Sequence, residues 1–345
     1  MLWVGGLALF WLVLQLLGVD VKGWIQQLWD EIKAIPRGYL LGALVFQTAQ
    51  TVLVGGSYYG ILKAAYPEEV TVRPIIASYA VGVAMNGFLP ANIGTFVTLI
   101  MFVAIIPSCT FAGAIAAYLV QKIFFTIAGA FVYVYMFLSV PGSFSISFGK
   151  ERTHPGLTLL IIGGAVVLIG LLVRIFWRQL KKLWAQAKAG GVILAQPKRY
   201  MTRVFLPSFL GWTCGRTVTA IFLAAFALPV TFDSVMWVAG SGSLANVASF
   251  TPGAVGVTQA TNALALKTCC NVAHQQAVSF STAQQLITTA WNQIVAIVLV
   301  VTVFGWSGGK QLVSQSYVDA KEKAAEMKAE RKKKKDAPES PEAEG

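Results

Sequence analysis

Two short stretches of this chain break apolar runs that would otherwise read as unbroken helices. The first is Asn86-Gly-Phe-Leu-Pro90-Ala-Asn92-Ile-Gly94, and the second is Asn246-Val-Ala-Ser-Phe-Thr251-Pro252-Gly253-Ala-Val-Gly256. Proline removes a backbone donor and clashes with the carbonyl four residues back, and glycine loosens the same turn. A helix that restarts after such a break offers free N–H groups and the positive end of its dipole, which is chemistry for holding an anion. Uncharged polar residues gather beside both breaks: Thr95 and Thr98 after the first, Thr258, Gln259 and Asn262 after the second. Gln121, Gln284, Gln285 and Asn292 stand on neighbouring apolar runs. Any one of them serves well enough as glue between membrane helices, at about 0.6–2 kcal/mol each. Converging on two broken tips, they would line a polar site.

Two cations share this setting. Lys122 and Arg216 lie well inside apolar runs, where a positive charge costs about 2.5–3.5 kcal/mol on insertion scales. No acid occurs between Val70 and Lys150, and only Asp233 between Arg152 and Val318. Two readings are open. Each cation bonds backbone carbonyls of a broken helix or snorkels to an edge, or an anionic group such as a lipid phosphate completes the pair.

The elements that position these residues follow from composition. Of the 345 residues 56% are apolar and 12% charged, with a mean hydropathy of +0.65. Soluble domains run near 45–50% apolar and about 25% charged. Several apolar runs exceed the ~18 residues that mark a spanning helix. Met1–Val19 is a first span, since it lacks the basic start and small-residue cleavage site of a signal peptide. Asp20–Arg37 is an amphipathic interfacial stretch. The spans Gly38–Leu62, Phe111–Val140, Leu157–Phe176, Val204–Leu228 and Ala277–Phe304 follow, with broken runs at Ile75–Phe88 with Ile93–Ile106 and at Val235–Phe250 with Val255–Leu266. Gln311–Lys335 alternates Lys and Glu as a solvated helix would, and the remainder is too polar to fold. The expected division is a membrane domain over 1–306, with repeats near 38–140 and 203–305 and a linker at 177–203, then a charged tail over 307–345.

Charge sets the topology. The net charge of +12 is concentrated in the eight basic residues from Arg174 to Arg203 and in Arg331-Lys-Lys-Lys-Lys335. Both segments belong on the cytoplasmic side. Each arm of a broken run has about 12–16 residues, or ~18–24 Å of helix, short of the ~30 Å hydrocarbon core. If each run enters and leaves on one face, the tail returns to the cytoplasm as its charge requires. The chain then crosses an odd number of times between repeats, so the repeats are inverted. The expected fold is an all-α polytopic membrane protein with two inverted repeats. Each repeat carries a Pro/Gly-broken re-entrant helix pair, and the two pairs meet near the midplane.

Other chemistries are not expected. His154 and His274 have no nucleophile or acid at useful spacing. Cys109, Cys214, Cys269 and Cys270 show neither a metal-ligand spacing nor a disulfide framework, and they read as small buried residues. The basic runs lack the aromatic interleaving of a nucleic-acid surface. Neither an enzymatic activity nor a cofactor is expected.

At the two breaks the chain resembles the flippase-like membrane domain of lysylphosphatidylglycerol synthases. That family's first motif, roughly Asn-x-x-Leu-Pro-x-Arg-x-Gly-Glu-x-x-Arg, stands here as Asn86, Leu89, Pro90, Asn92, Gly94, Thr95 and Thr98. Its second, Pro-Gly-Gly-x-Gly-x-x-Glu, stands as Pro252, Gly253, Gly256 and Gln259, and its Glu-Arg pair as Gln121-Lys122. The departures share a direction: charged positions have become neutral hydrogen-bonding ones, with Lys122 the exception. The 345 residues hold no aminoacyl-transferase domain, so synthesis of the lipid is not expected. The resemblance implies a lipid or lipid-linked-sugar translocator of a bacterial inner membrane, with membrane lipids as its partners. The alternative is a non-catalytic subunit that supports a lipid-modifying enzyme or glycosyltransferase. The site would draw on Asn86, Pro90, Asn92, Gly94, Thr95, Thr98, Gln121, Lys122, Arg216, Asn246, Pro252, Gly253, Gly256, Gln259 and Gln285.

The topology is checked by labelling single-cysteine variants in intact cells. Positions Lys188 and Ser316 should label from the cytoplasm and Ser147 from outside. Labelling of Ser147 and Lys188 from one face would exclude inverted repeats.

Overall fold

Pro36 starts the first described helix, since it ends the preceding chain and leaves no N–H unpaired at the helix entry. The computed structural model describes residues 26, 29–30, 32–33, 35–87, 89, 93–139, 192–248 and 251–336. The expected span Met1–Val19, the loop 141–156, the span Leu157–Phe176 and most of the basic linker lie outside the described residues, as do Pro90 and Asn92. The described elements are α1 (Arg37–Ala65), α2 (Val72–Asn86), α3 (Ile93–Ile105) and α4 (Phe111–Ser139), then α5 (Leu206–Ala225), α6 (Phe232–Ala248), α7 (Val257–Cys270), α8 (His274–Phe304) and α9 (Trp306–Asp336). A short helical lead-in over 192–205 precedes α5. There is no strand among the described residues. α1, α4 and α8 are long and apolar enough to cross a membrane. Along α4, Ile127, Phe131, Val134 and Phe137 are more than half exposed, as side chains facing lipid would be.

Small residues decide how the helices approach. α1 and α5 run antiparallel in close contact. A Cβ on Gly60 would lie 2.5 Å from the Arg203 carbonyl, one on Gly211 2.8 Å from the Val54 side chain, and one on Gly215 2.9 Å from Gln50 Oε1. Such small-residue seams drive membrane helix association, because lipid tails offer no hydrophobic reason to pack.

Each broken run folds back on itself. The Thr98 hydroxyl donates to the Ser78 carbonyl at 3.5 Å, and a Cβ on Gly82 would meet the Gly94 carbonyl oxygen at 2.7 Å. At the open end, Glu69 accepts from the Ser108 backbone N–H at 2.9 Å and the Ser108 hydroxyl at 2.7 Å. α2 and α3 therefore form an antiparallel hairpin whose two ends lie beside the end of α1 at Ala65. α6 and α7 form a second one, with the Ser241 hydroxyl donating to Asn262 Oδ1 at 2.6 Å. Its open end is at the opposite side of the bundle, where Asp233 accepts from the Tyr135 hydroxyl of α4. The halves are exchanged at their last helices: α8 packs on α2, and α4 packs on α6. Each half has its own apolar centre, around Ile61, Phe102 and Ile106 in the first and around Phe222, Leu266 and Phe280 in the second.

Two expectations need correcting. The tail helix is not solvated all round. Leu312, Val313, Ser316, Tyr317 and Ala320 share one face, Ser316 and Ala320 are buried, and α9 packs along α3. Ser316 is thus a poor labelling position, and exposed Gln315 takes its place. Cys269 and Cys270 are joined to each other rather than standing as separate thiols.

The Glu69 clasp yields a pH dependence. The two hydrogen bonds from Ser108 hold the Glu69 carboxyl below its ordinary value of 4.5. A depressed carboxylate contributes stability that is present above the ordinary value and lost as pH falls through the folded one. Thermal melting should therefore show a destabilisation on acidification that is smaller in Glu69→Gln. Identical pH profiles would remove the clasp from the account.

Candidate functional site

The two hairpin tips touch. Gly253 has φ +59°, a conformation glycine adopts without a Cβ penalty, and any Cβ there would overlap the Gly87 carbonyl of the other tip. Gly87 in turn lies against α8, since its Cβ would be 2.8 Å from Thr289 Cγ2. Glycine is favoured at Gly253 by its positive φ and by the backbone it faces, whereas at Gly87 the group in the way is a side-chain methyl.

The backbone freed by the second break is satisfied by a chain of amides. The Gly256 N–H donates to Gln259 Oε1 at 2.7 Å, Gln259 Nε2 donates to Gln285 Oε1 at 2.6 Å, and Gln285 Nε2 donates to the Gly253 carbonyl. The two backbone ends, one a donor and one an acceptor, fix the orientation of both amides. Only neutral amides can pass the polarity along in this sense. A carboxylate at position 259 accepts from Gly256 but has nothing to donate to Gln285. At the end of α2 the Ala84 carbonyl, which accepts from the Gly87 N–H at 3.1 Å, also accepts from Gln293 Nε2 at 2.7 Å.

On either side of the tip contact lies one small cavity. The first, about 170 Å³, sits among α1–α4 and is lined by Gln50, Tyr58, Asn86, Thr95, Gln121 and Lys122, among others. The second, about 230 Å³, sits among α5–α8 and is lined by Arg216, Thr258, Asn262, Ser281, Gln284 and Gln285. The lining positions correspond along the chain: Gly82 and Val83 in the first cavity stand where Gly242 and Ser243 stand in the second. Thr95 and Leu99 likewise match Thr258 and Asn262, and Tyr118, Gln121, Lys122 and Phe125 match Ser281, Gln284, Gln285 and Thr288.

Each cavity has one cation with no counter-ion. Among the described residues neither Lys122 nor Arg216 makes an ion pair or a hydrogen bond through its charged head. Lys122 Nζ stands 5.0 Å from the Tyr118 ring centre and 5.7 Å from that of Phe125. Arg216 stands 5.6 Å from that of Trp212, with its buried Nε unpaired. Of the expected arrangements, bonding to freed carbonyls is not seen among the described residues. Lys122 is exposed, as a side chain reaching for an edge would be, and each cation stands near aromatic faces, worth about 0.5–2 kcal/mol. That offsets only part of the insertion cost. In the first cavity the buried Asn86 Oδ1 is an unpaired acceptor, while Asn86 Nδ2 donates to Thr95 Oγ1 at 3.2 Å.

The predicted residues are thus divided between two chambers. Asn86, Thr95, Thr98, Gln121 and Lys122 line the first, and Arg216 and Gln285 the second. Gly94 serves the first hairpin, where a Cβ would meet the backbone of Gly82 and Asn86. Gly253, Gly256 and Gln259 build the second tip. Asn246 and Pro252 lie on the second hairpin, whereas Pro90 and Asn92 fall outside the described residues. Sequence reasoning missed Tyr58, which donates to Gln121 Oε1 at 3.4 Å, and Tyr79 and Tyr118. Tyr118 stands one helical turn before Lys122, a spacing that signals a cation–aromatic pair.

The model of the family described as Lysylphosphatidylglycerol synthase TM region matches residues 2–297. No curated protein and no solved structure matches the chain.

The amide chain is tested by a double-mutant cycle read by thermal melting. Gln259→Glu should destabilise by about 1–3 kcal/mol, the cost of an unsatisfied partly buried group. Gln285→Leu should cost a similar amount by stranding the Gly253 carbonyl. Because the two share one network, the double variant should lose less than the sum; strict additivity would show that the residues act separately.

Proposed function

Because the chain belongs to the family of lysylphosphatidylglycerol synthase transmembrane regions, membrane-embedded domains tied to lipid biosynthesis or translocation, we propose that it moves the anionic or polar head group of a lipid or lipid-linked sugar between leaflets. The observation that carries this reading is the pair of matching polar cavities flanking the Gly87–Gly253 contact, each with an unneutralised cation. At about 170 and 230 Å³ they fall below the ~300–1,000 Å³ of sites that enclose whole drug-sized ligands. They suit a head group whose acyl chains stay in lipid.

On this reading the two hairpins are re-entrant pairs entering from opposite faces, and the repeats are inverted. The antiparallel course of α1 and α5, with the hairpin open ends at opposite sides of the bundle, supports it. The side holding Lys63, Arg73, Lys198, Arg199, Arg203 and Lys310 is the cytoplasmic face, which puts the tail in the cytoplasm. An anion entering the first cavity meets Lys122, and Asn86 Oδ1 accepts a hydroxyl of its head group. In the second cavity Arg216 receives it. The protein acts as a carrier and performs no bond chemistry.

Reconstituted vesicles carrying a fluorescent phosphatidylglycerol in one leaflet test the reading. Lys122→Gln and Arg216→Gln should each slow head-group transfer about tenfold, the equivalent of 1.4 kcal/mol, while the variants remain monodisperse in detergent. Undiminished transfer in both would reject the carrier. A simultaneous loss of a co-purifying enzyme's activity would favour the supporting-subunit alternative.

A further inference from the structure

A third and larger cavity lies away from the tips, beneath the start of the tail helix. Its volume is about 520 Å³, and it is walled by α2, α8 and α9, within the ~300–1,000 Å³ usual for ligand sites. Val81, Ala84, Met85, Ala296, Ile297 and Val300 make its walls. Its one interior amide, Gln293, already gives its NH₂ group to the Ala84 carbonyl. Apart from that amide, Ser314 and Tyr317 on α9 and Lys310 at its mouth, the rest of the lining is apolar, and a surface so largely apolar favours apolar matter over water.

The rim differs. Gly305, at φ +74°, turns the chain sharply from α8 into α9 and brings Trp306 and Lys310 to the mouth. Trp306 is 71% exposed, and Lys310 is exposed and makes no ion pair among the described residues. Along the adjoining flank of α8, Ile294, Ile297 and Val298 are each more than half exposed, so the mouth opens toward lipid. An apolar slot beside a lipid-facing helix, with an indole and an unpaired ammonium at its entrance, matches a phospholipid part by part. The chain enters the slot, the interface sits at the indole, and the phosphate meets the cation.

We propose that this cavity binds one acyl chain of an anionic phospholipid whose phosphate rests on Lys310, a site separate from the two tip cavities. The lipid fills the space between α9 and the bundle, so that tail helix, α2 and α8 share it as a common packing partner.

Native mass spectrometry of the full chain, stripped in detergent and titrated with phosphatidylglycerol, phosphatidylcholine or inorganic phosphate, tests the proposal. Wild type should retain phosphatidylglycerol in preference to phosphatidylcholine and show no retention of phosphate. Lys310→Glu, at an exposed position, should weaken phosphatidylglycerol retention about tenfold or more. Ile297→Trp should fill the slot and remove one retained phosphatidylglycerol per chain, with thermal melting confirming that it folds. The Lys122→Gln, Arg216→Gln double variant should lose only lipid held at the tip cavities and still retain the one phosphatidylglycerol that Ile297→Trp displaces, so the two sets of variants remove different bound lipids. Equal retention in wild type, Lys310→Glu and Ile297→Trp would overturn the proposal. So would loss confined to the Lys122/Arg216 variant, retention of phosphate alone, or a co-purifying polypeptide in place of lipid.

Discussion

The ends of two helix hairpins meet at the Gly87–Gly253 contact, and the backbone groups that helices leave unpaired at such ends need partners. An unmet N–H or C=O costs several kcal/mol wherever water is excluded, and among the described residues side-chain amides meet several of the groups freed at the tips. Gln285 and Gln259 close one set, and Gln293 caps another. The Gly87–Gly253 contact brings backbone against backbone with no side chain between. A carboxylate accepts hydrogen bonds but cannot donate the one that Gln259 gives to Gln285.

The two halves meet this requirement with different residues at corresponding places. The first cavity is aromatic and carries its cation on the last helix of the half, Lys122 of α4. The second is richer in amides and hydroxyls and carries its cation on the first helix, Arg216 of α5. Each hairpin is tied near its open end by a carboxylate, Glu69 to Ser108 in one half and Asp233 to Tyr135 in the other. These acids stand outside the apolar depth in which neither cation finds a counter-ion.

Much of this was legible in the sequence, for reasons that differ by element. Helix limits followed from proline and polarity: Phe111–Val140 was expected and Phe111–Ser139 is observed, and Ile93–Ile106 compares with Ile93–Ile105. The breaks were visible because Pro and Gly act locally. The division of the polar residues into two chambers was not visible. It depends on which arm faces which partner helix, and amides carry no label for that. The Gln259–Gln285 bond joins two helices whose approach is set by side chains elsewhere. The docking of α9 was hidden because Ser316 and Ala320, the residues buried in its seam, add almost nothing to an apolar periodicity. The Lys and Glu around them dominate the pattern.

The exchange of last helices gives α8 two separate duties along its length. Its first half, through Ser281, Gln284 and Gln285, walls the second cavity, and its second half, through Gln293 and Ala296, packs on the hairpin arm α2 of the first. Between these stretches, at Gln285 and Thr289, it bears on the meeting point of the tips. A continuous helix of 31 residues thus joins the wall of one chamber, the tip contact and the hairpin arm of the other half in a single rigid element. α4 has the mirrored arrangement, with Lys122 in its first half and Tyr135 and Ser139 against α6 in its second. Each long last helix therefore borders one chamber with its first half and the other half's hairpin with its second.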